Sequence, residues 1–383
     1  MTRASFFTTS REDGGAEVYL RTVAAAAAAR GIDVSCALPA VPATRGLCAD
    51  LTAAGVTVVP ANLGVGHHGR WGALRSIAAD VVGTMRVLRR TSAQRVLISL
   101  PTPESSPGIM LGCALARRPT CVVFHLANPD LAISPARRRI YAAGRSRRTR
   151  WIAVSHDNRR TIAAAFGVPE REIDVIDNGV GAAASVPAEA ARRKLRDDLG
   201  LAADAKIALT VGRLTPQKGH STIVAALDRL AAEAPDLHFA WAGSGPLADE
   251  MEAAVGAAGH ARRVHLLGHR DDVDELLAGS DLLLFPSRAE GRGFALLEAM
   301  AAGLPVVTSD IGVLTEVVED GVTGTTFRVD DPSDLADRLL AALRQPRALA
   351  AMAGAARELV RVKYSERDML DKTVSALLGD EAQ

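Results

Sequence analysis

Residues 282–300 read Leu-Leu-Leu-Phe-Pro-Ser-Arg-Ala-Glu-Gly-Arg-Gly-Phe-Ala-Leu-Leu-Glu-Ala-Met, and this segment indicates the fold class most clearly. Its first four residues, Leu282 to Phe285, are entirely apolar and are typical of a strand that is buried on both faces. Two glycines then permit a turn, and the alanine- and leucine-rich run after them predicts a helix that begins near Gly293. Such a strand–turn–helix unit is typical of a parallel sheet covered by helices on both faces.

The same alternation of apolar runs and helical runs continues along the whole chain of 383 residues. This length accommodates two hydrophobic cores, so we predict an α/β protein with two doubly wound domains. Asn178-Gly179 is a turn signal between the halves. We therefore place the domains at residues 1–180 and 181–364, and the final segment, 365–383, can pack back on the first domain. The candidate strands are Ser5–Thr9, Asp33–Leu38, Val56–Pro60, Val96–Leu100, Thr120–Phe124, Trp151–Val154, Ile207–Val211, Leu237–Trp241, Val264–Leu267, Leu282–Phe285, Val306–Thr308 and Gly324–Phe327.

Composition and charge narrow the functional classes. The formal net charge is +1 and aromatic residues make up 4% of the chain, so neither electrostatics nor base stacking indicates a nucleic-acid partner. The four cysteines show no CxxC spacing, which predicts free thiols in a reducing compartment. The first residues lack a signal-peptide pattern, and the alanine run from Ala24 to Ala29 is too short to span a bilayer. We therefore expect a cytoplasmic enzyme.

Two carboxylates flank the glycine turn. Glu290 precedes the predicted helix, and Glu298 lies more than one turn inside it. Carboxylates in these positions can accept hydrogen bonds from two separate hydroxyl-rich groups, such as a sugar and a ribose. The amides of Phe294, Ala295 and Leu296 would face an anion or a sugar at the amino end of the helix. A helical glutamate usually lies on a solvated surface, but the apolar residues after Glu298 predict burial.

A candidate phosphate site lies in the loop Val211-Gly212-Arg213-Leu214-Thr215-Pro216-Gln217-Lys218-Gly219. The loop follows a predicted strand, and ligands of doubly wound sheets bind beyond the carboxyl ends of the strands. Arg213 can hold two phosphate oxygens and Lys218 can neutralise a third. The alternative interpretation is a solvated loop whose cations are incidental.

Two glycine-rich turns each leave a structural and a binding interpretation open. Asp13-Gly14-Gly15-Ala16-Glu17 follows the first strand and opens a helix, and Ala242-Gly243-Ser244-Gly245-Pro246 ends a later strand. Each turn can bring backbone amides close to a ligand or serve only as a tight connection. The dinucleotide fingerprint GxGxxG does not follow the first strand, which argues against an NAD-dependent oxidoreductase.

These motifs occur in an order that is known from one family. The matching segments are Asp13 to Glu17, Val154-Ser155, Val175 to Val180, Val211 to Gly219, Ala242 to Leu247, Val264 to Gly268 and Ser280 to Gly303, which contains Glu290 and Glu298 as Glu-x7-Glu. Together they resemble the retaining GT-B glycosyltransferases of family 4, also called glycosyl transferases group 1. The resemblance implies a GT-B fold, in which two Rossmann-like doubly wound domains face a central cleft. It assigns the acceptor to the first domain and a nucleotide-sugar donor to the second.

The resemblance also implies a role for each matching residue of the second domain. Arg213 and Lys218 would neutralise the donor diphosphate and help the nucleotide leave. Glu298 would bind the ribose hydroxyls, and Glu290 would bind hydroxyls of the transferred sugar. Gly293 would lie at the donor together with the helix amides that follow it.

Three further roles follow from the resemblance. Gly15 would donate an amide to the phosphate across the cleft, and the backbone around Arg270 would lie near the base. His125 corresponds to a histidine that such enzymes place beside the sugar, although a capping role at a strand end is the alternative. The implied reaction transfers a sugar from a nucleotide-diphosphate sugar, with a UDP-sugar preferred, to a hydroxyl of a small-molecule or glycan acceptor. Same-face attack would retain the anomeric configuration, and neither a metal nor a cofactor is expected, because the nucleotide sugar is itself a substrate.

Two positions depart from the family pattern. Arg292 stands where family members commonly carry an aromatic residue, and it can reach an anionic or hydroxyl-rich group or point to solvent. Ile311-Gly312-Val313 follows Asp310 where a glycine pair is common, so the segment containing Glu316 can be shaped differently. Both departures leave the identity of the donor sugar open.

Other functions remain as alternatives. A nucleotide-sugar 2-epimerase can use the same fold, and a non-catalytic sugar-nucleotide-binding protein is disfavoured because the charged donor residues are all present. Asp272-Val273-Asp274 resembles the DxD metal motif of a different glycosyltransferase fold. Here it opens a predicted helix, so we interpret it as a capping and surface motif.

One loop of the first domain is a candidate for acceptor binding. A glycine-rich loop at residues 62–71 could hold an acceptor or could simply be a surface loop. Its candidate acceptor residues are His67, His68, Arg70 and Trp71.

Seven arginines occur along a predicted helix between residues 137 and 150. They could contact anionic lipid at a membrane surface, but few apolar residues accompany them, so a solvated basic face is the favoured interpretation. These arginines are Arg137, Arg138, Arg139, Arg145, Arg147, Arg148 and Arg150.

Overall fold

The computed structural model describes residues 1–12, 14–64, 70–128 and 130–379, with the backbone alone described at residues 70 and 71. The chain forms two compact units. Unit 1 contains Met1–Asn178 and the chain from Arg367 onward, and unit 2 contains Gly179–Glu366. Each unit has its own parallel sheet and its own hydrophobic core.

Unit 1 is built on a parallel sheet of seven strands. The strands are β1 (Arg3–Thr8), β2 (Asp33–Leu38), β3 (Thr57–Pro60), β4 (Arg95–Leu100), β5 (Thr120–Phe124), β6 (Thr149–Ala153) and β7 (Ile173–Val175). Their order is β3-β2-β1-β4-β5-β6-β7, and every neighbouring pair is parallel. The strand order therefore reverses between β1 and β4, which is the position where doubly wound sheets bind ligands.

Helices cover both faces of this sheet. They are α1 (Gly15–Ala29), α2 (Arg45–Ala53), α3 (Arg70–Thr91), α4 (Pro107–Leu115), α5 (Pro135–Gly144), α6 (His156–Phe166) and α15 (Glu366–Leu378). α1 packs on α2, while α3 packs on α4 and α4 on α5. Because crossovers between parallel strands are right-handed, the reversal at β1 and β4 places α1 and α2 on one face and α3 to α5 on the other.

The core of unit 1 is dense in aromatic rings on the β6 side. Phe124, Tyr141 and Phe166 surround Trp151 at centroid distances of 5.1, 6.3 and 5.1 Å. The C-terminal helix α15 completes the unit, because Thr373 Oγ1 lies 3.0 Å from the buried Tyr19 hydroxyl.

Unit 2 repeats the architecture with a parallel sheet of six strands. The strands are β8 (Lys206–Val211), β9 (Leu237–Ala242), β10 (Val264–Gly268), β11 (Leu282–Phe285), β12 (Val306–Ser309) and β13 (Thr325–Phe327). The helices are α7 (Ala188–Asp198), α8 (His220–Glu233), α9 (Ala248–Ala257), α10 (Val273–Gly279), α11 (Phe294–Ala302), α12 (Gly312–Thr315), α13 (Pro332–Leu343) and α14 (Pro346–Lys363). The order β10-β9-β8-β11-β12-β13 reverses between β8 and β11. Separate apolar clusters fill the two faces, so the strands are buried on both sides as their sequences predict.

The prediction of two doubly wound α/β sheets is confirmed, and all twelve predicted strands are present, with ends that differ by at most two residues. The additional edge strand β7 was not predicted, because its three residues include the charged Asp174. The predicted basic helix was wrong in length. α5 ends at Gly144, and the arginines from Arg145 onward lie in the following turn and in β6.

Candidate functional site

The carboxyl ends of β8 and β11 bring two predicted site residues into contact. Lys218 Nζ lies 2.5 Å from Glu290 Oε1, and the Ser287 hydroxyl donates to the same oxygen at 2.8 Å. The side chains of Lys218 and Glu290 are only 17% and 7% exposed. The ammonium also lies 5.3 Å from the centroid of the Phe285 ring. The two charges therefore neutralise each other. A ligand bound at the carboxyl ends of β8 and β11 would contact both side chains.

Backbone contacts between the two loops explain this meeting. A Cβ on Gly219, whose φ is +69°, would lie 2.0 Å from the Pro286 carbonyl oxygen, so only glycine allows the approach. Gln217 Nε2 donates to the Ala289 carbonyl at 2.7 Å, and the Arg288 amide donates to the Gln217 carbonyl at 2.8 Å. These hydrogen bonds hold the loop after β8 against the loop after β11.

Glu298 lies in the second turn of α11, whose N-cap is Gly293. Burial, and secondarily the nearby Asp274 carboxylate, raise the pKa of Glu298 above its ordinary value. Glu298 forms no hydrogen bond or ion pair with the residues that the structure describes. An unsatisfied, half-buried carboxylate is an acceptor ready for hydroxyl donors.

The amino end of α11 offers fewer amides than its sequence indicates. The Leu296 amide donates to the Gly293 carbonyl oxygen at 3.1 Å, so it is already used within the turn. The amides of Phe294 and Ala295 precede the first bond of the helix and have no acceptor inside it. Of the three predicted amides, these two are the ones that can face a ligand.

The loops after β8, β9 and β10 lie side by side. The Leu214 amide donates to the Ser244 carbonyl at 3.0 Å, and the Gly243 amide donates to the Gly268 carbonyl at 2.7 Å. A Cβ on Gly243 would lie 2.0 Å from the Gly212 carbonyl oxygen. Close backbone packing is therefore sufficient reason for this glycine, which favours the structural interpretation of the turn.

Two predicted donor residues lie on these loops. Arg213 is exposed in the loop after β8. Arg270 follows β10, and its Nε donates to Asp272 at 2.6 Å, so the first aspartate of Asp272-Val273-Asp274 is paired with a guanidinium. Within the described ranges, no three His, Cys, Asp or Glu side chains gather as metal ligands would.

The two departures from the family pattern meet in the interior of unit 2. Arg292 is 1% exposed, and its Nη2 lies 2.9 Å from Glu316 Oε2. Its guanidinium also lies 5.4 Å from the ring of Tyr364, whose hydroxyl donates to the Glu316 carbonyl at 3.2 Å. Arg292 thus points neither to solvent nor to a ligand position. It ties the glycine turn after Glu290 to the segment around α12.

In unit 1, the switch point between β1 and β4 brings Gly15 close to His125. Gly15 is the exposed first residue of α1. Ser99, at the end of β4, approaches the Ala16 carbonyl at 3.5 Å and His125 Nε2 at 2.9 Å. The His125 ring also packs edge-on against Tyr19 of α1, with the centroids 4.7 Å apart.

His125 is buried, and this burial lowers its pKa to about 3. The imidazole is therefore neutral at physiological pH and can act as a hydrogen-bond partner but not as a cation. Asn158 Nδ2 donates to the carbonyls of Phe124 and His125, at 3.0 and 3.2 Å, and so holds the loop that carries the ring.

The four predicted acceptor residues lie before and at the start of α3. His67 and His68 lie outside the described residues. Arg70 and Trp71 open α3, and their side chains are not described. In the part of the chain that the structure describes, every helix is too short or too polar to cross a bilayer.

Three supporting residues escaped the sequence-based prediction. They are Ser287 beside Glu290, and Ser99 and Asn158 beside His125. The available signal was weak: Ser99 is a polar residue in a strand that is otherwise apolar after Arg95, Ser287 follows the end of β11, and Asn158 lies in the first turn of α6.

Two family profiles match this chain. A family profile described as Glycosyltransferase Family 4 matches residues 13–183, and one described as Glycosyl transferases group 1 matches residues 191–359. The alpha-D-kanosaminyltransferase of Streptomyces kanamyceticus is 34% identical over 182 residues, which cover 46% of this chain and 46% of that relative. The D-inositol 3-phosphate glycosyltransferase of Mycobacterium avium (strain 104) is 32% identical over 238 residues, or 60% of this chain and 54% of that relative. The chain spans about half the length of the curated relatives it matches.

Solved structures extend the likeness of fold to nearly the whole chain. HepE of Anabaena, solved in complex with UDP and glucose, superposes with a TM-score of 0.80 at 22% identity and covers 99% of this chain and 100% of its own. The two Rossmann-like sheets and the loops at their carboxyl ends define a GT-B protein. The chain belongs to the group 1, family 4 glycosyltransferases.

Proposed function

We propose that the protein is a metal-independent retaining glycosyltransferase that moves a sugar from a nucleotide-diphosphate sugar, preferably a UDP-sugar, to a hydroxyl of a small-molecule or glycan acceptor. The observation that carries this proposal is the contact of Lys218 with Glu290, with the unsatisfied Glu298 on the adjoining helix. Family membership supports the retaining mode, and HepE, which was solved with UDP and glucose, supports the choice of UDP.

In this proposal the donor diphosphate competes with Glu290 for the Lys218 ammonium. A phosphate that attracts Lys218 releases the Glu290 carboxylate, which then accepts hydrogen bonds from the transferred sugar. Arg213, on the exposed loop after β8, adds a second cation. Glu298 accepts the ribose hydroxyls, because it has no competing partner among the described residues.

The transfer step breaks the bond between the anomeric carbon and the diphosphate oxygen, whose electron pair leaves with the nucleotide. The acceptor oxygen forms the new bond on the same face of the sugar, and its proton passes to the departing phosphate oxygen. Negative charge grows on the diphosphate as the bond breaks, so fixed cations there stabilise the transition state more than the ground state. Neutral His125 contributes a hydrogen bond without repelling the cationic sugar of an oxocarbenium-like state.

The first experiment measures UDP and UDP-sugar binding by thermal shift and product mass with candidate acceptors. Lys218→Met and Arg213→Ala should each lower the transfer rate about a hundredfold or more, since each removes a charge aimed at the leaving group. Lys206→Met is the matched control. Lys206 begins β8, at the opposite end of the same strand, and forms an exposed ion pair with Asp236 at 3.1 Å.

The outcomes separate the alternatives. If both loop variants bind UDP as the parent does, the assignment of the phosphate site is wrong. Epimerised donor in the absence of acceptor would establish the 2-epimerase instead. A product with inverted configuration at the anomeric carbon, measured by NMR coupling, would reject the retaining mode alone.

A further inference from the structure

Charge is distributed very unevenly along this chain. Residues 70–150 contain fifteen arginines, no lysine and three acidic residues, which is a formal charge of +12. The remaining residues include thirty basic and forty-one acidic ones and carry −11, so the net charge of +1 conceals the asymmetry. A block of one sign is typical of a surface that meets an extended anionic partner.

α3 and α5, on one face of the unit 1 sheet, carry eight of these fifteen arginines, and most of the others lie in the turns after α4 and α5. α3, α4 and α5 pack in series, and one of the three acidic residues, Asp80, is only 3% exposed. Eight arginines on or just after these helices are exposed and form no ion pair with another described residue. They are Arg86, Arg89, Arg90, Arg117, Arg137, Arg138, Arg139 and Arg147, and we call this surface the cationic face.

Many of these arginines gather at the amino ends of β4, β5 and β6. Arg148 Nη1 donates to the Arg117 carbonyl at 3.0 Å, and the Thr120 amide donates to the Arg148 carbonyl at 2.9 Å, so the turns after α4 and α5 are joined. Gly15 and His125 lie at the opposite, carboxyl ends of the strands. This part of the cationic face is therefore distinct from the candidate active site of unit 1.

A pocket of about 490 Å³ opens between α5, β6 and the end of α6. Its charged lining consists of Arg138, Arg145 and Arg147 against the single carboxylate of Glu172, with which Arg145 pairs at 2.6 Å. The wall includes the side chain of Trp151, which is 2% exposed. The pocket thus carries surplus positive charge from guanidinium groups, which is a suitable environment for a phosphate.

Apolar side chains on the same helices favour a lipid surface over a nucleic acid. Leu74 and Val82 of α3 and Leu115 of α4 are 57%, 46% and 60% exposed. Arginines interspersed with exposed aliphatic side chains are typical of helices that lie at a membrane interface. A nucleic acid offers phosphates but no apolar layer that would receive these side chains.

We infer that the cationic face docks unit 1 on an anionic lipid membrane and that the pocket bounded by α5 and β6 receives a lipid phosphate head group. Each arginine near an anionic surface contributes about fivefold to binding. The inference does not depend on the proposed function, because it concerns the other end of the unit 1 sheet.

Vesicle co-sedimentation of the full chain tests the inference. Wild-type protein should bind phosphatidylglycerol vesicles at low salt, should fail to bind pure phosphatidylcholine vesicles, and should be released at high salt. Arg138→Gln/Arg147→Gln, in the pocket, and Arg86→Gln/Arg89→Gln, on α3, should each weaken binding about 30-fold.

The matched control is Arg347→Gln/Arg357→Gln, which removes the same charge from two exposed arginines on α14 of unit 2. It should bind phosphatidylglycerol vesicles as the wild type does. Equal losses in the control and the α3 variant would mean that net charge rather than this face drives binding. Absence of wild-type binding to phosphatidylglycerol overturns the docking surface. Binding of inorganic phosphate that the pocket variant loses, without vesicle binding, would replace the membrane with a soluble anion.

Discussion

The buried pair of Arg292 and Glu316 leads to an asymmetric stability prediction. The Arg292 side chain is 1% exposed, whereas that of Glu316 is 18% exposed. Glu316→Gln leaves a guanidinium excluded from water without its carboxylate, which typically costs about 3–5 kcal/mol. Arg292→Met leaves a carboxylate that can still turn towards water, so we expect a smaller cost of about 1–3 kcal/mol.

The double variant, Arg292→Met/Glu316→Gln, removes the buried guanidinium charge together with its carboxylate. It should therefore be more stable than Glu316→Gln alone, so that the two costs are not additive.

Differential scanning calorimetry is the appropriate assay, because it can resolve the transition of the unit that carries the substitution. For a unit of this size a loss of 3 kcal/mol corresponds to a fall in melting temperature of about 6–12 °C. Tyr364→Phe is a useful control. It removes the hydroxyl that donates to the Glu316 carbonyl but keeps the ring beside the guanidinium. The reasoning is refuted if Arg292→Met destabilises unit 2 as much as Glu316→Gln, or if the double variant is additive.

Two pH-dependent predictions follow from buried titratable groups. Because the folded-state pKa of Glu298 is raised, the parent loses stability as the pH rises through the pKa values of Glu298 in the unfolded and then the folded state. Glu298→Gln should be more stable than the parent at about pH 7.5 but not at about pH 4. It should also bind UDP about 10- to 100-fold more weakly. Equal melting temperatures of variant and parent at both pH values would contradict the stability prediction. The pKa of His125 is lowered from 6.5 to about 3, so the unfolded chain takes up this proton first and stability falls as the pH drops between these values. His125→Asn should show a shallower loss over that range in urea unfolding, and a loss parallel to that of the parent would show that His125 is not buried in solution.

The sheets were predictable because their strands are buried on both faces, which leaves continuous apolar runs such as Leu282–Phe285. The short edge strand β7 was not, because its residues are partly exposed and include Asp174. The order of strands follows from no local pattern. It depends on crossovers between segments that are far apart in the chain.

The sequence also identified individual residues of the candidate site but not the contacts between them. Glu290 and Lys218 could be named because charged residues next to glycines beyond strand ends are a local signal, and Glu298 because a carboxylate within an apolar helical run is unusual. The direct contact of Lys218 with Glu290 could not be predicted, because it depends on the approach of Gly219 to Pro286 across two strands.

The sequence by itself determined the two parallel sheets, the family and the residue types at the donor loops, because burial periodicity and turn chemistry act over a few residues. Only the tertiary structure decided which charges meet. Arg292 was open to ligand or solvent in the sequence, yet it lies in the interior against Glu316. The exposed arginines between residues 86 and 147 are spread along the sequence, yet the packing of α3 on α4 and of α4 on α5 brings their segments to one face of the unit 1 sheet. Electrostatic interactions depend on distance in space and on access to water, and neither quantity is contained in the order of residues.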